Sequence, residues 1–85
     1  MNEAEIMEAL RAIIRQVAPD ADLGTLALDE DFRRAFDIDS FDHLRIMTAV
    51  SERFGSEVPE EQQGRLVTLR RLAEWVMAGE RKPSP

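Results

Sequence analysis

Apolar residues recur at helical spacing in three separate stretches of this chain, and no stretch alternates as a strand would. That pattern confines the fold to the all-α class. The first stretch runs from about Glu3 to Val17, with Ile6, Leu10, Ile13, Ile14 and Val17 on one face. Asn2 is the expected N-cap, and Pro19 forces the helix to stop. Glu3, Glu5 and Glu8 lie early and Arg11 and Arg15 late, which suits the helix dipole. The second stretch runs from about Ser40 to Phe54. Leu44, Met47, Val50 and Phe54 form its expected buried stripe, and Gly55 stands where a left-handed cap belongs. The third runs from Thr68, its N-cap, to Met77, with Leu69, Leu72, Ala73 and Val76 inward and Gly79 expected to end it. Between the last two, Pro59 to Leu66 reads as one short helical turn with Glu60 and Glu61 at its start. The reading is a bundle of about four segments, a single domain over residues 1–79, and a flexible tail over 80–85.

One segment does not fit an idealised bundle. Ala18 to Ile38 is too long for an ordinary connection, yet it carries Leu23, Leu26, Leu28, Phe32, Phe36 and Ile38. We expect it to fold down over the bundle, with one turn near Asp31 to Ala35, and to deliver the chain to Ser40.

Composition narrows the chemistry. The 85 residues include no cysteine and one histidine, so disulfides, thiolate nucleophiles and multi-histidine metal sites are excluded. Seventeen acidic residues against eleven basic ones give a net charge of −6, which repels nucleic acid and anionic lipid and attracts basic protein surfaces. No stretch approaches the apolar length of a membrane span, and the acidic start Met1 to Glu5 does not read as a secretory leader. The expectation is a cytoplasmic monomer with no nucleic-acid role and no membrane insertion.

The chemistry is to be sought at Phe36-Asp37-Ile38-Asp39-Ser40-Phe41-Asp42. Asp39 is placed to cap the second helix, and Asp42 stands in the position of a capping-box partner. Ser40 then becomes the first helical residue, its hydroxyl outward at the positive end of the helix, where a phosphate ester would be stabilised. Asp39 and Asp42 flank it and could help hold Mg²⁺ while a phosphate group is delivered. Taken alone, Asp39-Ser40 reads first as an ordinary helix start, the commoner meaning of those two residues.

The wider register adds to that reading. From Asp39-Ser40-Phe41 through the hydrophobic positions of the second helix, its aromatic end at Phe54, Glu57-Val58-Pro59 and the acidic Glu60-Glu61, the chain resembles the acyl carrier protein family. Val67-Thr68-Leu69 is similar to that family's entry to its last helix, and Asp31-Phe32 to a motif of its long first loop. The resemblance implies a small four-helix bundle with three longer helices, one short helix and a long first loop. It implies that Ser40 bears a covalent 4'-phosphopantetheine arm, donated from coenzyme A by a Mg²⁺-dependent phosphopantetheinyl transferase. Asp39, Phe41 and Asp42 would form the motif that the transferase reads. The arm's thiol would carry an acyl group as a thioester, for fatty acid, polyketide or related acyl-transfer pathways. The protein would present cargo to acyl-loading and acyl-using enzymes and would not itself be an enzyme; no catalytic residue and no resident metal is assigned.

The chain departs from that family in two ways. Asp37 stands where the family's usual residue is glycine, and Phe41 where it is leucine. The second helix also mixes Asp42 and Glu52 with Arg45 and Arg53, where carriers serving fatty acid synthesis are strongly acidic. This predicts a dedicated pathway whose partners read Phe41, Arg45, Ile46 and Glu52, together with the acidic Glu57 and Glu60. Two alternatives remain: an aminoacyl or peptidyl carrier, disfavoured because that branch more often has His or Asn before the serine, and an unmodified interaction subunit. His43 is read as exposed or partner-facing, Trp75 as a bundle-edge group, Met7, Met47 and Met77 as core fillers, and Arg33-Arg34 and Arg70-Arg71 as solvated pairs.

Overall fold

The first helix begins where local chemistry places it. In the computed structural model, which describes residues 1–81, Asn2 and Glu5 form a reciprocal capping box at the start of α1 (Glu3–Val17). The chain then passes through a single 3₁₀ turn (Leu23–Thr25), the one-turn α2 (Phe32–Ala35), α3 (Ser40–Phe54), the one-turn α4 (Glu60–Gln63) and α5 (Leu69–Arg81). No strand occurs among the described residues. The three long helices make the bundle, with α1 packed on both α3 and α5.

The core is a single cluster. Ile6, Leu10 and Ile14 of α1, Ile46, Met47 and Val50 of α3, and Leu69, Leu72 and Val76 of α5 are all buried. The long first connection closes it, as its apolar content predicts: Leu23, Leu26, Phe32 and Ile38 are buried, while Leu28 stays partly exposed. Phe32 is completely buried, a placement that stabilises the fold by about 1.5–3 kcal/mol. Backbone bonds fasten this cover to the entry of α5. Phe32 N–H donates to the Val67 carbonyl at 2.9 Å, and Arg70 N–H to the Leu28 carbonyl at 3.0 Å. The Arg70 guanidinium also reaches Asp29 at 2.7 Å. Arg33 donates from Nε to the Ile38 carbonyl at 3.1 Å, and Arg71 to the Arg65 carbonyl at 3.2 Å. The two basic pairs, expected to be merely solvated, thus bind the loops at three of their four positions.

Three further expectations need correction. The stripe of α3 is rotated from the one expected: His43, Ile46, Met47 and Val50 are buried, Phe54 is partly buried, and Leu44 is 49% exposed. Leu44 and Ile46 are both aliphatic and lie on neighbouring rows, so spacing alone does not choose between them. The cover does, because it buries the row that faces Phe32. Gly79 does not end the last helix, which continues to Arg81. Residues 80 and 81 of the tail expected over 80–85 are therefore helical, and the rest of that tail lies outside the described residues. Gly55, by contrast, closes α3 in the left-handed conformation expected, at φ 72°.

Asp37 adopts the left-handed region too, at φ 53°, and is the one non-glycine residue with positive φ among the described residues. The turn between α2 and α3 needs that conformation at this point, and aspartate tolerates it better than most residues with a side chain. Asp37→Gly should therefore leave stability unchanged or raise it by up to about 1 kcal/mol, whereas Asp37→Ala should lower it by about 1 kcal/mol. Urea denaturation midpoints of the two variants check this, and a more stable alanine variant would contradict it.

Candidate functional site

The start of α3 is built by one carboxylate. Asp39 is extended, at φ −77° and ψ 175°, and its Oδ1 accepts the Asp42 N–H at 2.8 Å. Asp42 does not complete the reciprocal box. Its carboxylate instead accepts from the Arg45 guanidinium at 3.3 Å, a short pair along the helix surface. Ser40 is therefore the first residue of α3, and its side chain is exposed. The amide groups of a helix's first turn have no acceptor within the helix. Asp39 takes that of Asp42, which leaves the positive end of α3 open beside the Ser40 hydroxyl.

Around that hydroxyl the surface is apolar on one side and acidic on the other. Phe41 is 72% exposed and, with Leu44, Thr48, Ala49, Arg45 and Glu52, lines a shallow hollow of about 330 Å³. On the other side Asp42, Asp37 and Ile38 border a second hollow of about 510 Å³ that reaches the end of α1. Among the described residues no group of three or more His, Asp or Glu side chains is arranged to hold a metal ion. Asp39 is engaged as a cap and Asp42 with Arg45, so the two carboxylates do not form a ready Mg²⁺ site by themselves.

The site residues read from sequence separate into two groups. Asp39, Ser40, Phe41, Asp42 and Arg45 lie together on the first turns of α3, and Glu52 shares the hollow with Phe41. Glu57 and Glu60 are exposed on the link to α4 and at its first residue. Ile46 does not belong with them: it is fully buried in the core and presents nothing to a partner. Leu44, placed inside by its spacing, takes the exposed position instead.

His43 is the residue whose placement departs furthest from expectation. It is 5% exposed, its Nε2 donates to the Leu66 carbonyl at 3.1 Å, and its ring lies 6.1 Å from that of Phe32. The imidazole thus joins α3 to the cover segment and to the link before α5, and it is committed to Leu66 rather than to Ser40. A polar residue on an otherwise apolar helical row was the signal available in the sequence. Burial holds the His43 pKa below its ordinary 6.5 and Arg33 nearby pushes the same way, against the Leu66 hydrogen bond and Asp31.

The comparisons with known proteins span most of the chain. A family model described as a phosphopantetheine attachment site matches residues 8–76. The chain is 28% identical over 72 residues to an acyl carrier protein of Streptomyces coelicolor, covering 85% of this chain and 78% of that protein. It is 29% identical over 77 residues to an acyl carrier protein of Thermosynechococcus vestitus, covering 89% and 93% respectively. It is 28% identical over 78 residues to acyl carrier protein 3 of Ralstonia nicotianae, covering 92% and 88%.

The buried imidazole generates a pH dependence. Because its pKa is lower folded than unfolded, the unfolded chain binds the proton more readily below 6.5. Its contribution to stability is complete above that value and falls as the pH drops toward the folded pKa. Between about pH 7.5 and pH 5.5, His43→Gln, which keeps a donor for Leu66, should lose less stability than the parent chain. Urea unfolding across that range reads the difference; parallel curves would remove the assignment.

Proposed function

The chain belongs to the phosphopantetheine-attachment family of acyl carrier proteins, and from that premise we propose that Ser40 is its attachment point and that it serves a dedicated acyl-transfer pathway. The prosthetic group of this family is a covalently attached 4'-phosphopantetheine. When bound, it supplies a thiol that carries the acyl group as a thioester. The observation that carries the assignment to Ser40 is its exposed hydroxyl at the open positive end of α3, inside the matched span.

The residues present fit such a group. A phosphodiester on the Ser40 oxygen lies at a helix N-terminus, where first-turn amides and the dipole favour negative charge. The small neighbour Asp39 is turned into its cap, and its carboxylate is held by the Asp42 amide. Phe41 is free to meet a partner because the core does not use it. In the loading step the Ser40 oxygen forms the new phosphoester bond and the pyrophosphate bond of coenzyme A breaks. The nucleotide half of coenzyme A leaves, and the hydroxyl proton passes to the phosphopantetheinyl transferase.

The partners we infer, beyond that transferase, are enzymes that load and use the acyl group. The specialised pathway is supported by the exposed face of α3. Phe41, Leu44 and Thr48 give it an apolar stretch, and Arg45 neutralises Asp42 where an acidic stripe would otherwise run. A partner reading a dense acidic helix would meet a near-neutral one here.

Two measurements follow. Incubation with coenzyme A, Mg²⁺ and a broad-specificity transferase should add one phosphopantetheine unit by intact mass, and Ser40→Ala should abolish the addition. An unchanged mass for the parent chain would favour an unmodified interaction subunit. In a side-by-side acylation assay, general fatty acid synthase enzymes should turn over this carrier at least about tenfold less efficiently than a housekeeping carrier, the effect of losing roughly 1.4 kcal/mol of recognition. Equal efficiency would defeat the dedicated-pathway reading.

A further inference from the structure

A broad, open hollow lies away from Ser40, between α1 and α3. It encloses about 880 Å³ and runs along α1 from Glu5 to Gln16. At 1.5 Å per residue that is roughly 16 Å, about three turns of a helix laid beside it. Its sides are low because Ala9 and Ala12 on α1 face Ala49 on α3, and a single methyl group at each position lets another backbone come close. The trough is continuous with the apolar hollow beside the serine, since Ala49 and Glu52 line both. At that end stand Phe41 and Leu44, the two most exposed large apolar side chains of α3, at 72% and 49%.

Charge identifies the occupant. The trough's lining carries Glu5, Glu8 and Glu52 against Arg53 and the amino terminus at Met1, so it is acidic on balance; the Arg53 guanidinium lies 5.6 Å over the Phe54 ring, and Arg45, in the adjoining hollow, pairs with Asp42 at 3.3 Å. Glu5 is folded back onto the Asn2 amide at 3.1 Å. Glu8 and Glu52 have no ion-pair or hydrogen-bond partner among the described residues. The trough therefore offers a hydrophobic end, a close-approach floor and, on opposite walls, Glu8 and Glu52, two carboxylates with no ion-pair partner among the described residues. A second copy of this chain, with its own net charge of −6, is repelled from it.

We propose that the α1–α3 trough is a docking site for a basic amphipathic helix of an enzyme that acts on the loaded arm. The partner's apolar face lies on Ala9, Ala12 and Ala49, its basic residues meet Glu8 and Glu52, and its end reaches Phe41 and Leu44. This extends recognition from the serine onto the first helix, and its functional meaning rests on the carrier reading above.

The test uses the full chain, ¹⁵N-labelled, with its phosphopantetheine state recorded by intact mass. The probe is a synthetic Leu/Lys amphipathic helix of about eighteen residues, with a Leu/Glu counterpart as control. Amide shifts should cluster at Ala9, Ala12, Ala49 and Glu52 with the basic peptide and be absent with the acidic one. The double variant Glu8→Lys, Glu52→Lys should weaken binding at least about fivefold, and so should the uncharged Ala12→Gln, which only fills the floor. Glu74→Lys, on the exposed face of α5, should change affinity less than about twofold, with circular dichroism confirming that every variant is folded. Equal losses from Glu74→Lys and the trough variants, shifts centred elsewhere, or self-association through the trough each overturn the proposal. Trough binding by a chain whose mass never changes would sink the carrier reading and leave the docking surface standing.

Discussion

Phe32 holds the arrangement together. It lies in a segment that has almost no regular structure, yet its ring is completely buried and its amide is bonded to the Val67 carbonyl. Those two contacts fix the cover segment against the entry of α5. His43 then packs its ring beside Phe32 and bonds to Leu66, which fixes the rotation of α3. Four residues separate Phe32 from Asp37, whose left-handed turn brings Asp39 into position as a cap. Burial of one aromatic thus determines where the Ser40 hydroxyl emerges. Truncating such a ring ordinarily costs about 3–5 kcal/mol, a large part of what a domain this small has to lose.

The exposed end of α3 and its buried turns divide the labour. The core takes His43, Ile46, Met47 and Val50, and leaves Ser40, Phe41 and Leu44 outside. A carrier needs this division, because its chemistry is presented to other proteins and not enclosed. The same division explains the mixed charge. Arg45 pairs with Asp42 near the serine, while Glu8 and Glu52 are exposed further along. The exposed surface beside Ser40 therefore has an apolar centre on α3 and an acidic periphery that reaches α1.

The features legible in the sequence were those set by local chemistry. Asn2, Asp39 and Gly55 mark helix ends by hydrogen bonding and backbone freedom, and all three behave as their residue types dictate. The burial of the first connection was legible from Leu23, Leu26, Phe32 and Ile38 against its length. The rotation of α3 was not, because Leu44 and Ile46 are interchangeable in hydrophobicity and the choice is made by the cover packed against them. That one rotation misplaced His43, Leu44 and Ile46 together. Gly79 misled for a different reason. A glycine in a last turn costs only about 1 kcal/mol, and the packing of Val76 one turn earlier carries the helix past it.

The central claim is that the open start of α3 places one hydroxyl, Ser40, for modification. Its most direct test is fragment mass spectrometry of the phosphopantetheine-loaded chain after proteolysis. The account predicts that the added group resides on the fragment containing Ser40 and on that residue within it. A group found on Ser51, Ser56 or any other hydroxyl would contradict it.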